Sequence, residues 1–326
     1  MGECPGFIDL QVNGYGGVDF SRVGLTVEGV RRCVEGLVAR GTVGFCATIV
    51  TSGLEVYEEN LPVLARAMGE AGIREHVLGI HLEGPFISGE DGARGGHRRE
   101  HVRKGDVELV RRWQELAGGK IRLMTVAPEV EGVLEVIEAA RENGITVSVG
   151  HSGATEGEVA AAVAAGARAC THVGNAVGRV MAVRESAIFY ELTCRELAVM
   201  LITDGYHLPR SFLVAAVRLA GPERVIVVSD VAPVAGLDVG EYEFLGERVI
   251  VEESGRVYCP RTGKLAGSGL TMLECMNVLA GTGELDEAGL WRAGFYNALN
   301  LIGEDAARFW GMARRVRFES GKFIVT

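Results

Sequence analysis

The nine residues VLGIHLEGP, from Val77 to Pro85, show the pattern that decides the fold. A short and almost continuous apolar run is typical of a parallel strand covered on both faces. This run ends in the polar Glu83, and a Gly-Pro turn follows it. Similar runs predict eight strands in all, at residues 6–13, 44–51, 77–84, 121–129, 146–152, 169–175, 197–205 and 225–231.

Helical patterns fill most of the gaps between these runs, at residues 26–40, 130–143, from 155 onward, 210–219 and 271–280. Thr26 can cap the first of these helices, and Asn143-Gly144 is a typical helix stop. Eight strands with intervening helices predict a (β/α)8 barrel of the TIM type, an α/β fold. The alternative is a doubly wound open sheet, but no G-x-G-x-x-G motif follows the first strand.

Two segments break the alternation of strands and helices. Residues 241–265 predict a β-hairpin inserted after the eighth strand, with its strands at 248–251 and 256–258. Residues 286–326 predict a helical layer and one short strand at 322–325. We therefore expect a catalytic barrel over residues 1–311. Residues 312–326 would form a short C-terminal strand or the remnant of a small β-domain.

Composition excludes several classes of function. The chain has 326 residues, 48% of them hydrophobic, and a net charge of −10 without a basic stripe, which argues against nucleic-acid binding. Its seven cysteines form no C-x-x-C pair, which indicates reduced thiols. We see neither a signal peptide nor an apolar stretch of about 20 residues that could span a membrane. We expect a soluble cytoplasmic protein.

Polar residues gather where the predicted strands end, the edge at which barrel enzymes carry their catalytic groups. Four of the chain's seven histidines lie at these ends: His81, His151, His172 and His207. Taken singly, such a histidine is more often a structural residue, and an Asp after a strand is often a helix cap. Burying several of these titratable groups together at one rim, without a partner, would cost free energy.

A divalent ion would remove that cost. Glu83, His151 and His172 supply one carboxylate and two imidazoles, which leaves a position open for water, as in catalytic sites. The ion would lower the pKa of that water toward ~7. Asp230, at the end of the eighth strand, is the best candidate to take the proton and return it to a leaving group. Zinc and ferrous iron both suit this set.

Seven short motifs occur in one order along the chain, at residues 6–14 (GFIDLQVNG), 81–86 (HLEGPF), 150–152 (GHS), 171–176 (THVGNA), 204–207 (DGYH), 229–230 (SD) and 265–272 (LAGSGLTM). In this order they resemble the N-acetylglucosamine-6-phosphate deacetylases, a branch of the amidohydrolase superfamily. The resemblance runs from Pro5 to about Asn300. It implies cleavage of the acetamido group of a sugar 6-phosphate, and typically a homodimer.

The resemblance also implies roles for individual residues. Glu83, His151 and His172 would be the metal ligands, and Asp230 the acid and base. His97 would polarise the amide carbonyl, with His101 as a possible substitute. The substrate contacts would be Gly96, Asn175, Ala176, Arg184, His207, Leu265, Ala266 and Gly267.

Three departures qualify the resemblance. Gln11 and Asn13 stand where many amidohydrolases have two histidines for a second ion. Because neutral amides are poor ligands for a transition metal, we expect a single ion and amides free to hydrogen-bond its water. The chain starts almost at the first barrel strand, so we expect the accessory β-domain to be absent or vestigial. The third departure is in the sequence of residues 177–191, a segment that the resemblance places near the pocket for the sugar phosphate.

Three alternatives therefore remain for the function. The substrate could be the galactosamine epimer, which differs at one hydroxyl, or a different amide on the same metal site. The chain could also be a non-catalytic sugar-phosphate sensor, although a sensor has little need of Asp230.

Overall fold

The fold is a barrel of eight parallel strands, seen in a computed structural model that describes residues 3–175, 186–312 and 315–326. Strands that follow one another in the barrel are neighbours in its single sheet. Between the first and last strands, Val12 forms a parallel bridge with Val231, and the Asn13 N–H donates to the Val231 carbonyl at 3.0 Å. The predicted barrel is confirmed, and the open sheet is wrong. The barrel strands are Phe7–Val12, Thr42–Val50, Val77–Glu83, Ile121–Val126, Thr146–Val149, Ala169–Cys170, Ala198–Ile202 and Val225–Val228.

Helices cover the outside of the barrel, and their ends agree with the local sequence. The Thr26 hydroxyl accepts a hydrogen bond from the Gly29 N–H at 3.0 Å, and Thr155 and Glu158 form the capping box that their spacing indicates. The α-helices are Val27–Ala39, Leu54–Ala67, Val107–Leu116, Val133–Glu142, Glu156–Ala165, Ile188–Thr193, Arg210–Ala220, Met272–Ala280, Glu287–Trp291 and Asn297–Ile302. A π-helix spans Arg292–Tyr296, and 3-10 helices span Arg99–His101 and Ala306–Phe309.

The insertion after the eighth strand is a sheet of three antiparallel strands, Gly240–Phe244, Glu247–Val251 and Val257–Tyr258. The last two are the predicted hairpin. The first was not predicted, because its sequence GEYEF has few apolar residues. Leu245 and Gly246 form the turn between the first two strands, with φ of 55° and 73°. We call this element the inserted sheet.

A second small sheet joins the two ends of the chain. Glu3–Cys4 pairs with Val316–Glu319, which in turn pairs with Lys322–Val325. Phe323 of this sheet lies 5.3 Å from Phe7, ring to ring, at the start of the first barrel strand. The sheet therefore lies at the N-terminal end of the barrel, opposite the end where the strands finish. A domain boundary near residue 311 stays a prediction.

Two further short strands, Gly14–Tyr15 and Val18–Asp19, pair directly after the first barrel strand. Within the part of the chain that the structure describes, no helix is long and apolar enough to cross a membrane.

Candidate active site

Three of the polar residues at the strand ends have an unusual backbone conformation. His151, His172 and Asp230 have φ of 49°, 30° and 51°. Left-handed backbone is uncommon for residues other than glycine, and it often marks functional sites. Only two other non-glycine residues in the described ranges share it, Leu245 and Ser320. Each of the three leaves its strand in this conformation, and their side chains meet at one rim of the barrel.

The side chains of Glu83, His151 and His172 form the centre of the site. Glu83 Oε1 lies 3.0 Å from His151 Nε2 and 2.9 Å from His172 Nε2. The two imidazole nitrogens are 3.1 Å apart. The three side chains are only 3–7% exposed. The structure therefore brings the three predicted metal ligands together, with little exposure to solvent.

His97 reaches the same point from the loop that follows the third barrel strand. Its Nε2 lies 3.0 Å from His151 Nε2 and 3.9 Å from Glu83 Oε2. Ligand atoms of Glu83, His97 and His151 all lie within 4.8 Å of one another, so these three could also hold an ion. His101, the possible substitute for His97, lies in the next 3-10 helix and lines a neighbouring cavity instead.

The donor set fits a divalent ion. Around an ion with bonds of 2.0–2.2 Å, tetrahedral ligands lie about 3.4 Å apart, close to the spacing seen here. Burial would raise the pKa of Glu83, but hydrogen bonds from His151 and His172 hold it well below its usual range. Burial would lower the pKa of His172, but its bond to Glu83 raises it. The buried carboxylate is thus held in its charged form, which is the form that binds a cation.

His97 and His81 are held neutral by burial. Burial lowers the pKa of His97 to about 3 and that of His81 to about 4. His81 lies inside the barrel, where its Nε2 is 2.8 Å from the Thr125 hydroxyl. His81 is therefore a structural residue below the site. In contrast, the buried Nδ1 atoms of His97 and His151 have no hydrogen-bond partner within residues 3–175, 186–312 and 315–326.

Asp230 stands beside this cluster, anchored by the two amides of the first strand. Its Oδ1 accepts from Asn13 Nδ2 at 2.8 Å and from Gln11 Nε2 at 3.0 Å. Gln11 Nε2 also donates to Glu83 Oε1 at 2.8 Å. Burial and the charge of Glu83 raise the pKa of Asp230. Gln11 and Asn13 thus donate to the two carboxylates, a role that their sequence position alone did not indicate.

The cluster lies in a cavity of about 700 Å³. Its wall includes the predicted substrate contacts Gly96, Asn175, His207, Leu265, Ala266 and Gly267. The buried Asn175 Nδ2 has no hydrogen-bond partner among the residues that the structure describes. Two further predicted contacts, Ala176 and Arg184, lie outside the described residues.

Asp204 connects two parts of the cavity wall. Its Oδ2 accepts from His207 Nδ1 at 2.8 Å and from the Ser268 hydroxyl at 3.0 Å. Burial would raise the pKa of Asp204, but the bond and charge of His207 outweigh it and lower the pKa. One carboxylate therefore fixes both His207 and the segment that follows Gly267. The motif DGYH contains Asp204, but nothing in the sequence pairs it with Ser268.

The mouth of the cavity contains residues that the sequence pattern did not single out. Phe244 and Leu245, at the turn of the inserted sheet, line it together with Lys264. A Cβ atom on Gly96 would lie 3.3 Å from Leu245, so this turn packs against the loop that carries His97. Their sequences have no periodicity that would mark them as cavity residues.

Comparison with known proteins identifies the family. Residues 4–291 match the model of the amidohydrolase family. The chain is 37% identical over 311 residues to the N-acetylglucosamine-6-phosphate deacetylase of Bos taurus, an alignment that spans 92% of this chain and 74% of that protein. The chain belongs to the amidohydrolase family. It is also 31% identical to the deacetylase of the same name from Lysinibacillus sphaericus, over 82% of this chain and 68% of that protein.

Solved structures of this amidohydrolase branch share the fold. A mutant of the deacetylase from Mycobacterium smegmatis, in complex with N-acetyl-D-glucosamine-6-phosphate, has a TM-score of 0.88 at 27% identity. The match covers 98% of this chain and 83% of that one. The Pasteurella multocida enzyme gives a TM-score of 0.87 at 27% identity, with the same coverage of both chains.

Proposed function

We propose that this chain hydrolyses the acetamido group of N-acetylglucosamine 6-phosphate, giving glucosamine 6-phosphate and acetate in amino-sugar metabolism. The observation that carries the proposal is the cluster of Glu83, His151 and His172 beside Asp230, at the base of a cavity of about 700 Å³. The likeness to deacetylases over 92% of the chain supports the choice of substrate.

Glu83, His151 and His172 would hold one divalent ion, zinc or ferrous iron. When bound, the ion supplies a Lewis acid for the amide carbonyl and activates a water. Gln11 and Asn13 already donate hydrogen bonds to the carboxylates of Glu83 and Asp230. This use of the amides supports a single ion rather than two.

Asp230 is the proton carrier of the proposal. Its Oδ1 is held by two amide N–H donors, which leaves its other oxygen available. Asp230 takes a proton from the attacking water and delivers it to the amine nitrogen that leaves. A carboxylate with a raised pKa is suited to both steps, because it binds a proton more readily than an exposed carboxylate does.

His97 is the electrostatic partner of the amide oxygen. The oxygen gains negative charge as water attacks the carbonyl carbon, and a buried neutral imidazole can donate one N–H to it. His97 lies on the cavity wall, with its Nε2 next to that of His151. This position suits a group that touches the substrate rather than a structural residue.

The sugar and its phosphate would occupy the outer cavity. Leu265, Ala266 and Gly267 form one wall against the sugar, and the Asn175 amide and His207 supply polar contacts. Ala176 and Arg184 complete the predicted phosphate site. A homodimer and a cytoplasmic location also remain proposals.

Acetate release from metal-loaded protein tests the function. We expect release from N-acetylglucosamine 6-phosphate and much slower release from N-acetylglucosamine, because the phosphate contributes binding energy. The galactosamine epimer is assayed in parallel, and faster release from it would reassign the substrate. No acetate from either 6-phosphate would contradict the proposal. Calorimetric binding of a 6-phosphate without turnover would then indicate the sensor.

A further inference from the structure

The loop that carries His97 is held by an internal arginine. The loop runs from Ser88 to His97 with the sequence SGEDGARGGH, in which four of ten residues are glycine. Glycine-rich backbone loses much conformational freedom when it is ordered. A loop of this composition needs specific contacts to keep one conformation.

Arg94 supplies those contacts. Its Nη1 donates to the Gly89 carbonyl at 2.8 Å, and its Nε donates to the His97 carbonyl at 3.0 Å. Its Nη2 bonds to Asp91 Oδ1 at 2.5 Å. The guanidinium therefore joins the start of the loop to its end, and also holds the turn between them.

The environment of Arg94 is unlike that of an ordinary surface arginine. Its side chain is 14% exposed, whereas that of Asp91 is 79% exposed. The exposed ion pair with Asp91 contributes little to the stability of the loop, because water and salt screen it. The two bonds to backbone carbonyls are the ones that hold the loop in place.

The position of His97 depends on this backbone. In the described part of the chain, the imidazole Nδ1 has no hydrogen-bond partner, and its Nε2 points to His151 and Glu83. No side chain in the described ranges therefore holds the ring by a hydrogen bond at Nδ1. The His97 carbonyl, held by Arg94, is thus a main fixed point of the residue.

We propose that Arg94 is a positioning residue for His97, fixing the backbone from which the imidazole reaches the substrate carbonyl. The inference rests on the proposed function for the role of His97, and on the loop geometry for the role of Arg94. Arg94 does not line the cavity, so it acts through His97 rather than by touching the substrate.

The test compares Arg94→Met, Arg94→Lys and the matched control Arg98→Met in the full-length, metal-loaded protein. Arg98 is 51% exposed, and its side chain bonds to the exposed Glu100. We expect Arg94→Met to lower kcat by up to about 100-fold with little change in KM, since a small displacement of a catalytic group can cost that much. Lysine can restore one of the lost bonds and should recover part of kcat. The control should match the wild type.

A double mutant separates positioning from general destabilisation. In a His97→Asn background, Arg94→Met should lower kcat hardly further, because the group that it positions is already gone. An equal loss in both backgrounds would overturn the proposal. So would an unchanged kcat for Arg94→Met in the wild-type background.

Two measurements without turnover keep this test apart from that of the function. Amide hydrogen exchange in residues 88–98 should rise in Arg94→Met, while the metal content stays at the wild-type value. If amide exchange in this loop of Arg94→Met stayed at the wild-type rate, the positioning role of Arg94 would be refuted, whatever the substrate is. A wild-type protein that releases no acetate would instead refute the proposed function.

Discussion

The base of the cavity and its mouth are built in different ways. At the base, Glu83, His151 and His172 leave the ends of barrel strands and lie within 3.1 Å of one another. At the mouth, the walls come from loops: the loop of His97, the turn at Leu245 and the segment that ends at Gly267. The base is therefore fixed by the barrel itself, and the mouth by contacts between distant segments.

This difference separates chemistry from recognition. Changes at the base, or in the loop that brings His97 to it, should remove metal or turnover. Changes elsewhere at the mouth should alter KM. The predictions below test that division, from the largest expected effect to the smallest.

His151→Ala should have the largest effect. The variant removes a nitrogen that contacts Glu83, His172 and His97, so we expect it to lose both bound metal and turnover. Metal analysis of the purified protein and the acetate assay check the two losses. His101→Ala is the control, since His101 lies in a neighbouring cavity, and it should keep both. A His151→Ala protein that retains full metal would contradict the assignment of His151 as a metal ligand.

Asp230→Asn should separate metal binding from proton transfer. We expect metal at the wild-type level and a kcat lower by about 10²–10⁴-fold, the usual contribution of a general acid and base. The amide keeps a similar shape and still occupies the position beside Asn13 and Gln11. If this variant loses metal as completely as His151→Ala does, Asp230 is a ligand.

Asp204→Asn addresses the mouth. The amide would lose the charge that orients His207 and would place an N–H donor or a weaker acceptor at His207 Nδ1 and Ser268. We expect KM for the 6-phosphate to rise about tenfold, the cost of one disturbed polar contact, with kcat nearly unchanged. A fall in kcat at constant KM would mean that Asp204 acts on the chemical step, like the residues at the bottom of the cavity.

Asp9→Asn should have the smallest effect, on stability alone. Burial raises the pKa of Asp9 from 3.8 to about 7. The folded state therefore binds this proton more tightly than the unfolded state, and stability falls as pH rises from about 4 to 7. One group changes stability by at most about 1.4 kcal/mol per pH unit. The variant should therefore show a weaker dependence of stability on pH, which thermal melts from pH 5 to 8 can detect. The same pH dependence in the variant and the wild type would contradict this prediction.

The sequence predicted the base of the site far better than the mouth. Runs of apolar residues mark strands, and a histidine or carboxylate directly after a run lies at a known edge of the barrel. This logic located Glu83, His151, His172 and Asp230. It could not choose between His97 and His101, because both lie well beyond the end of the third strand, and their positions depend on how the intervening segment folds.

The remaining features depend on contacts between residues far apart in the chain. Asp204 and Ser268 are 64 residues apart, and Gln11 and Asp230 are 219 apart. No local pattern reports such pairs. The strand Gly240–Phe244 was missed for a related reason, since its sequence is mainly polar and it is set by pairing with Glu247–Val251.

A metal titration tests the central claim most directly. Metal-depleted protein is titrated with zinc or ferrous iron while acetate release from N-acetylglucosamine 6-phosphate is followed. We predict that activity rises linearly and saturates at one ion per chain, because Glu83, His151 and His172 form one site and Gln11 and Asn13 are bonded to the carboxylates. Activity that needs two ions, or no acetate at any ratio, would contradict the account.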